Sequence, residues 1–243
     1  MHSDEFRARL LLSSTLLVRE ANLGLPTNAA SGCLIDYRGR RILLTAAHVT
    51  GDDRHWSIQL AYIEKRGTVL HALGAMNYLA KGRIGDGTLE DVDLSYAEVP
   101  GDILPFRQDI DISTGKILHE APITIYAPTL EEIPRRTEEY GFYGLTFATR
   151  EDHFGKSYLS GELAVQSGLS FLRTEEDFHI FTLPSKHPGH HYFRGCSGAP
   201  VVDTNGCVIG LVCSGNEERN EIWAVSLAKY KVGIDATLAS GSA

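Results

Sequence analysis

No uninterrupted apolar run in the sequence approaches the ~20 residues that a helix needs to cross a bilayer, so a helical membrane span is not expected. Basic residues are also in short supply. Lys and Arg total 23 against 31 Asp and Glu, for a net charge of −8. Phosphate recognition relies on clustered cations that release counterions, and here Arg40-Arg41 and Arg135-Arg136 are isolated pairs. A nucleic-acid partner is therefore excluded. Cysteine is sparse: Cys33, Cys196, Cys207 and Cys213 form no C-x-x-C pair, and no Asn-x-Ser/Thr site occurs. Both features point to free thiols in a reducing, cytoplasmic setting. There is no low-complexity tract and no linker rich in Gly or Ser.

What is present suits a soluble globular chain, with 43% hydrophobic and 22% charged residues. At 243 residues it can bury about 70–75% of the surface that its unfolded form exposes. Short strand signals recur along it, at residues 33–36, 41–45, 56–60 and 68–73, then 139–144, 178–183, 198–202, 208–212 and 222–225. Turn residues at 36–39 and 84–87 separate some of them. Many short strands with frequent turns indicate an all-β barrel or sandwich. Residues 7–19 could pass for a signal peptide, but Ser13-Ser14-Thr15 interrupts the run and Arg19-Glu20 closes it, so they read as a first strand. Residues 100–125, with three prolines, carry the chain between an N-terminal unit over 1–115 and a C-terminal unit over 116–243. A short helix over 226–238 would close the chain.

The stretch Gly195-Cys196-Ser197-Gly198-Ala199-Pro200 leads into Val201-Val202, a tight turn entering a strand. Serine between glycines is a candidate nucleophile. The glycines leave room for a substrate carbonyl and allow backbone angles that aim N–H groups at a developing oxyanion. A nucleophilic serine needs a base, and the buried strand at residues 41–45 runs into Ala46-Ala47-His48. Between them, Asp91-Val92-Asp93-Leu94-Ser95 offers a carboxylate at the start of another strand. The order is His, Asp, Ser.

With these residues the chain resembles the trypsin-like serine peptidases of the chymotrypsin fold, especially their compact bacterial branch. Thr45-Ala46-Ala47-His48 matches the histidine motif, Asp93-Leu94-Ser95 is similar to the aspartate motif, and residues 195–200 match the serine motif except at Cys196 and Ala199. The resemblance covers most of residues 13–238. It implies two antiparallel six-stranded β-barrels with a short C-terminal helix, the active site lying in the cleft between the barrels. His48 and Asp93 would stand on the first barrel and Ser197 on the second. It further implies endopeptidase activity on a protein or peptide substrate, without cofactor or metal, through a catalytic triad of His48, Asp93 and Ser197. The backbone N–H groups of Gly195 and Ser197 would form the oxyanion hole, an interaction worth about 3–4 kcal/mol per donor.

Departures from the family pattern carry expectations of their own. Secreted relatives pair the cysteine near Cys33 with one directly after the catalytic histidine, where this chain has Val49. Cys196 replaces the aspartate that receives a newly cut N-terminus, and no Ile-Val-Gly-Gly-like start is present. Zymogen cleavage is therefore not expected, and a regulatory protein partner or loop ordering would govern activity if it is not constitutive. By resemblance, His191, Cys213, Ser214, Gly215 and Glu221 would line the primary substrate pocket. Glu221 would recruit a basic side chain, whereas His191 would favour an acidic or amide one, and the sequence does not choose between them. Cys213 replaces the serine that usually supports the aspartate.

Competing assignments follow from the same residues. Asp91 shares a strand face with Asp93, but the Leu-Ser that follows favours Asp93. A thiol is the better nucleophile, yet Cys196 precedes the motif position and is expected to pack inward. His187, His190 and His191 lack an obvious further ligand for zinc, so a polar loop edging the cleft is the reading. A catalytically silent member that binds peptide in the same cleft is the alternative, motivated by Cys196, Ala199 and Cys213.

Overall fold

A computed structural model describes residues 3–20, 26–51, 55–82, 87–111, 113–153 and 156–240. Helix α1 (Ser3–Leu10) comes first, with Asp4 and Glu5 in its first turn and Arg7 and Arg9 in its last, charges that complement the helix dipole. There follow β1 (Thr15–Glu20), β2 (Pro26–Tyr37), β3 (Arg40–Thr45), the single turn α2 (Ala47–Thr50), β4 (Trp56–Ile63), β5 (Gly67–Ala72), β6 (Asn77–Gly82) and β7 (Leu89–Val99). A hairpin of β8 (Phe106–Asp111) and β9 (Lys116–Pro122) leads to β10 (Glu139–His153) and β11 (Lys156–Glu175). The chain ends with β12 (Phe178–Thr182), β13 (Pro200–Asp203), β14 (Val208–Asn216), β15 (Glu221–Ser226) and α3 (Leu227–Ser240).

In the second half, β10-β11-β12-β15-β14-β13 close into a six-stranded barrel. Among the described residues the first half pairs differently from the six-stranded barrel expected of it. It is a seven-stranded sheet in the order β5-β4-β1-β2-β3-β7-β6, and β8 pairs only with β9. The helix α1 occupies the start of the stretch read as strand, and β1 begins only at Thr15. Ser13 ends the helix, its hydroxyl donating to the Leu10 carbonyl at 2.8 Å. A division at residue 115 falls inside the β8–β9 turn. The chain then pairs with the first half once more, where Tyr126 N–H donates to Leu34 O and Asp36 N–H to Tyr126 O. The turn read at 84–87 lies mostly outside the described residues.

Side-chain alternation explains how the two halves share one interior. Along β2 and β3, Leu34 and Leu43 face a core with Leu17, Trp56 and Ile58. Their neighbours Cys33, Ile35, Ile42 and Leu44 face the opposite way, into a cluster that includes Val202, Leu211, Val225 and Tyr230. Both faces of β3 are thus covered, which is why its apolar run is continuous. On α3, Leu227, Tyr230, Ile234 and Leu238 are buried, a spacing that makes one stripe and seats the helix on this shared cluster. The interior of the closed barrel is separate, built around Tyr140, Phe142, Phe181 and Val201.

Polar ties fix the halves in register. Ser31 of β2 donates its N–H to Ser197 O and its hydroxyl to Gly195 O, both at 3.0 Å, and Thr45 Oγ1 of β3 donates to Ser31 O at 2.8 Å. Gly198 sits against this junction with φ +87°, and a Cβ there would collide with Ser31 O and Thr45 Oγ1. Gly198→Ala is expected to cost about 3 kcal/mol or more, lowering the melting midpoint by about 6–12 °C in a thermal scan.

A second tie is ionic. Asp177, in the β11–β12 turn, accepts from Lys81 of β6 at 2.6 Å and from Lys229 of α3 at 2.8 Å. Burial opposes its charge, but the two lysines outweigh burial and pull its carboxyl from 3.8 down to about 2. A carboxyl that binds its proton less tightly when folded stabilises the fold above the unfolded-state value and loses that contribution as pH falls through about 2. In urea melts, Asp177→Asn should therefore be less stable than the native chain at pH 6, by at most about 2 kcal/mol since both lysines are partly exposed. The difference should shrink below about pH 4 and vanish only as the pH falls below about 2.

Candidate active site

The antiparallel pairing of β3 with β7 aligns Thr45 with Ser95. His48, three residues beyond Thr45 on α2, and Asp93, two residues before Ser95, are therefore brought together at one end of the pair. His48 Nδ1 lies 2.8 Å from Asp93 Oδ2 and 3.0 Å from Oδ1, and the His48 backbone N–H donates to Oδ1 at 2.9 Å. Two donors from one residue fix the carboxylate. Burial raises the Asp93 pKa, but the His48 ring and backbone hydrogen bonds outweigh it, so the carboxyl sits below its usual range. Asp91, on the same strand, is exposed and does not reach the ring.

Ser197 comes from the other half, in the turn before β13. Its Oγ lies 3.0 Å from His48 Nε2, so the imidazole bridges carboxylate and hydroxyl with its two nitrogens. The His48 side chain is 50% exposed and that of Asp93 24%, which leaves the ring open to a ligand while its partner is shielded. Gly195 adopts φ +97°, an angle that L side chains rarely adopt. Among the described residues, neither the Gly195 nor the Ser197 N–H donates to another group, whereas Gly198 N–H donates to Val212 O at 2.8 Å. Two backbone donors beside the hydroxyl are thus unengaged.

Cys196 points the other way. Its thiol is fully buried and donates to Leu145 O at 2.9 Å, and burial pushes its pKa up, so it stays a protonated packing group. Cys213 lies beneath the triad, its Sγ 3.2 Å from Leu211 O and 3.5 Å from Asp93 O. Burial and the nearby Asp93 charge hold this thiol protonated as well. All four cysteines are free.

Two hollows flank the hydroxyl and ring. Beside His48, one of about 470 Å³ is lined by Tyr78, Leu79 and Asp91 among others. Beside Ser197, one of about 450 Å³ is lined by residues that include His191, Cys213, Ser214 and Gly215, four of the five residues expected there. Glu221 is the exception. Its side chain is 4% exposed and turned away, accepting from Arg173 Nη1 at 2.8 Å and from Trp223 Nε1 at 3.1 Å. The bond from Arg173 holds its carboxyl below the usual range. It is therefore engaged as a buried ion-pair partner outside the lining of the hollow. His187 and His190, expected in a loop edging the cleft, also line the hollow, as do Phe193, Val212 and Ile222, which were not anticipated. Among the described residues no group of three or more His, Cys, Asp or Glu side chains is arranged to hold a metal.

This fold, with its active-site-like cleft between two β units, has solved counterparts. Human heparin binding protein aligns over 94% of this chain and 92% of its own, with a TM-score of 0.57 and 14% identity. The chain adopts the chymotrypsin fold. Neuropsin, a serine protease of mouse brain, aligns over 95% of this chain and 96% of its own, with a TM-score of 0.57 and 12% identity. A serine endoprotease of Yersinia pestis aligns over 99% of this chain and 68% of its own, at TM-score 0.55 and 15% identity. No protein-family model and no curated protein matches the sequence. At these identities the likeness concerns the chymotrypsin fold, not the chemistry. No helix among the described residues is long and apolar enough to cross a membrane.

Proposed function

We propose that the protein is a serine endopeptidase that cleaves peptide bonds through an acyl-enzyme formed on Ser197. The observation that carries this reading is the unbroken chain Asp93 carboxylate, His48 imidazole, Ser197 hydroxyl, with links of 2.8 and 3.0 Å. A hydroxyl is too weakly acidic to attack an amide unaided. His48 Nε2 takes its proton as Oγ bonds to the carbonyl carbon, and the imidazolium then passes that proton to the leaving amine. Asp93 keeps the Nδ1–H tautomer and stabilises the imidazolium without taking a proton itself. The Gly195 and Ser197 N–H groups receive the oxyanion. Water, deprotonated by the same imidazole, then attacks the acyl carbonyl, and the imidazolium returns that proton to Ser197 Oγ as the acyl–oxygen bond breaks.

The buried, protonated Cys196 supports serine rather than cysteine as nucleophile, and the free thiols support a reducing, cytoplasmic location. Because Cys196 stands where zymogens carry an aspartate, activity in this reading needs no trimming and is either constitutive or governed by a partner or by loop ordering. An activated peptide ester tests the proposal. Rapid mixing should give a burst of one leaving group per chain, and acid quenching should trap the acyl mass on the peptide containing Ser197. A folded chain that gives neither burst nor acyl adduct would argue for a cleft that only binds peptide.

A further inference from the structure

The hollow beside Ser197 contains a buried imidazole whose hydrogen bonding is incomplete. His187 is 3% exposed, and its Nδ1 accepts from the Gly189 N–H at 3.0 Å. Nδ1 is therefore the unprotonated nitrogen, and Nε2 carries the hydrogen. That Nε2–H is buried with no acceptor among the described residues. It stands in the wall of the hollow next to Gly215, where a Cβ would come within 3.2 Å of it. Buried donors are usually paired, and although other buried polar atoms among the described residues are also unpaired, His187 Nε2 is the one whose residue lines the hollow beside Ser197, where a ligand acceptor would complete it.

The rest of the hollow says which kind of atom. No carboxylate lines it, Glu221 being held by Arg173 outside the lining. Phe193, Val212 and Ile222 supply an apolar sleeve for methylene groups, leading to a donor. The side chain that fits is therefore flexible, aliphatic in its stem and tipped with an acceptor. Lys and Arg, which carry only donors, leave the orphan unpaired. Between amide and carboxylate the surroundings favour the amide. Protonating Nδ1 to make His187 cationic would break its bond from Gly189, and burial together with the nearby His190 disfavours the charged ring by more than Glu217 favours it. Glu217 and Glu218 line the adjoining groove with Lys186, two carboxylates against one exposed ammonium, so its balance disfavours an anion, while Arg194 at the hollow is exposed.

Taking the peptidase reading of the same cleft as its basis, we infer that the hollow selects glutamine on the acyl side of the scissile bond, with His187 Nε2–H donating to the side-chain carboxamide oxygen. His187 is then the specificity residue. It replaces both candidates that the sequence offered, His191 being exposed at the hollow and Glu221 being engaged elsewhere.

Binding measured without turnover separates this inference from the catalytic one. In the Ser197→Ala chain, calorimetry with acetyl-Ala-Ala-Ala-X peptides bearing a free C-terminus should rank X = Gln tightest. Met, similar in length but without an acceptor, and Lys should bind about tenfold to a hundredfold more weakly. The glutamine advantage should vanish when His187→Phe is added. In the chain carrying native His187, long-range nitrogen–proton spectra should show the Nε2–H resonance moving downfield with the Gln peptide and not with Met. Equal or tighter binding of Met or Lys overturns the inference, as does a Gln preference that survives His187→Phe or an Nε2–H that does not respond. Tighter binding of Glu than Gln overturns the choice of an uncharged side chain. A failed ester burst refutes the peptidase reading alone, because none of these binding measurements requires the serine.

Discussion

In peptide hydrolysis, His48→Ala is expected to lower kcat by about 10⁶-fold, and Ser197→Ala by a similar factor. The double variant should be no slower than either single one. The imidazole and the hydroxyl act as a unit, joined by the 3.0 Å link between Nε2 and Oγ, so removing one leaves the other without a task. What survives should be the about 10³–10⁴-fold advantage over water supplied by the oxyanion donors and by binding. Single-turnover kinetics on the three variants checks this. Fully multiplicative losses would show that the two side chains act independently and would contradict the mechanism. Circular dichroism should show all three folded, because His48 is half exposed and Ser197 fixes the barrels through its carbonyl rather than its side chain.

Asp93→Asn should lower kcat by about 10⁴-fold with little change in KM. The carboxylate accepts two hydrogen bonds from His48, one from the backbone N–H at 2.9 Å and one from Nδ1. An asparagine can satisfy the backbone donor with its oxygen while presenting its amide to Nδ1. The ring then adopts the tautomer with hydrogen on Nε2, and Nε2 is no longer free to take the Ser197 proton. Steady-state kinetics, with a melt to show that the fold is kept, distinguishes this outcome from general damage. Asp91→Asn should leave kcat near the native value, since Asp91 stands outside the hydrogen-bonded trio, and any effect should fall on KM because it lines the hollow beside His48.

That His48, Asp93 and Ser197 would meet was legible in the sequence because the determinants of their placement are local. The apolar run of β3 announces a strand buried on both faces, so His48 must emerge at its end. Asp93 follows from the Leu-Ser beside it, and the glycines around Ser197 announce a turn with unusual backbone angles, realised as φ +97° at Gly195 and +87° at Gly198. The inward packing of Cys196 was equally readable, since adjacent residues in a tight turn cannot both face the cleft. Elements with little hydrophobic contrast were not readable. The exposed and half-exposed alternation in β6, the polar β8 and the 20-residue β11, with Gly161 and Gly168 inside it, give weak periodicity, and their strand identity comes from pairing with neighbours.

Pocket chemistry was the least legible part, and the reason is long-range pairing. Whether Glu221 faces a substrate depends on Arg173, 48 positions earlier, brought alongside only when the barrel closes. The burial of His187 depends likewise on ring packing against Phe193 and His190, with centroids 5.1 and 5.4 Å away. A histidine within a loop between Lys186 and Pro188 gives no sign of being interior. The strand count expected of the first half was drawn from resemblance rather than from residues, and its described strands form one seven-stranded sheet that ends on β6.

The central claim is that His48, Asp93 and Ser197 form a working nucleophilic site in the purified chain. Incubation with a fluorophosphonate, followed by intact mass and peptide mapping, tests it most directly. The account predicts a single adduct on Ser197, absent in Ser197→Ala and in His48→Ala. A folded native chain that remains unlabelled, or one labelled equally well without His48, would contradict it.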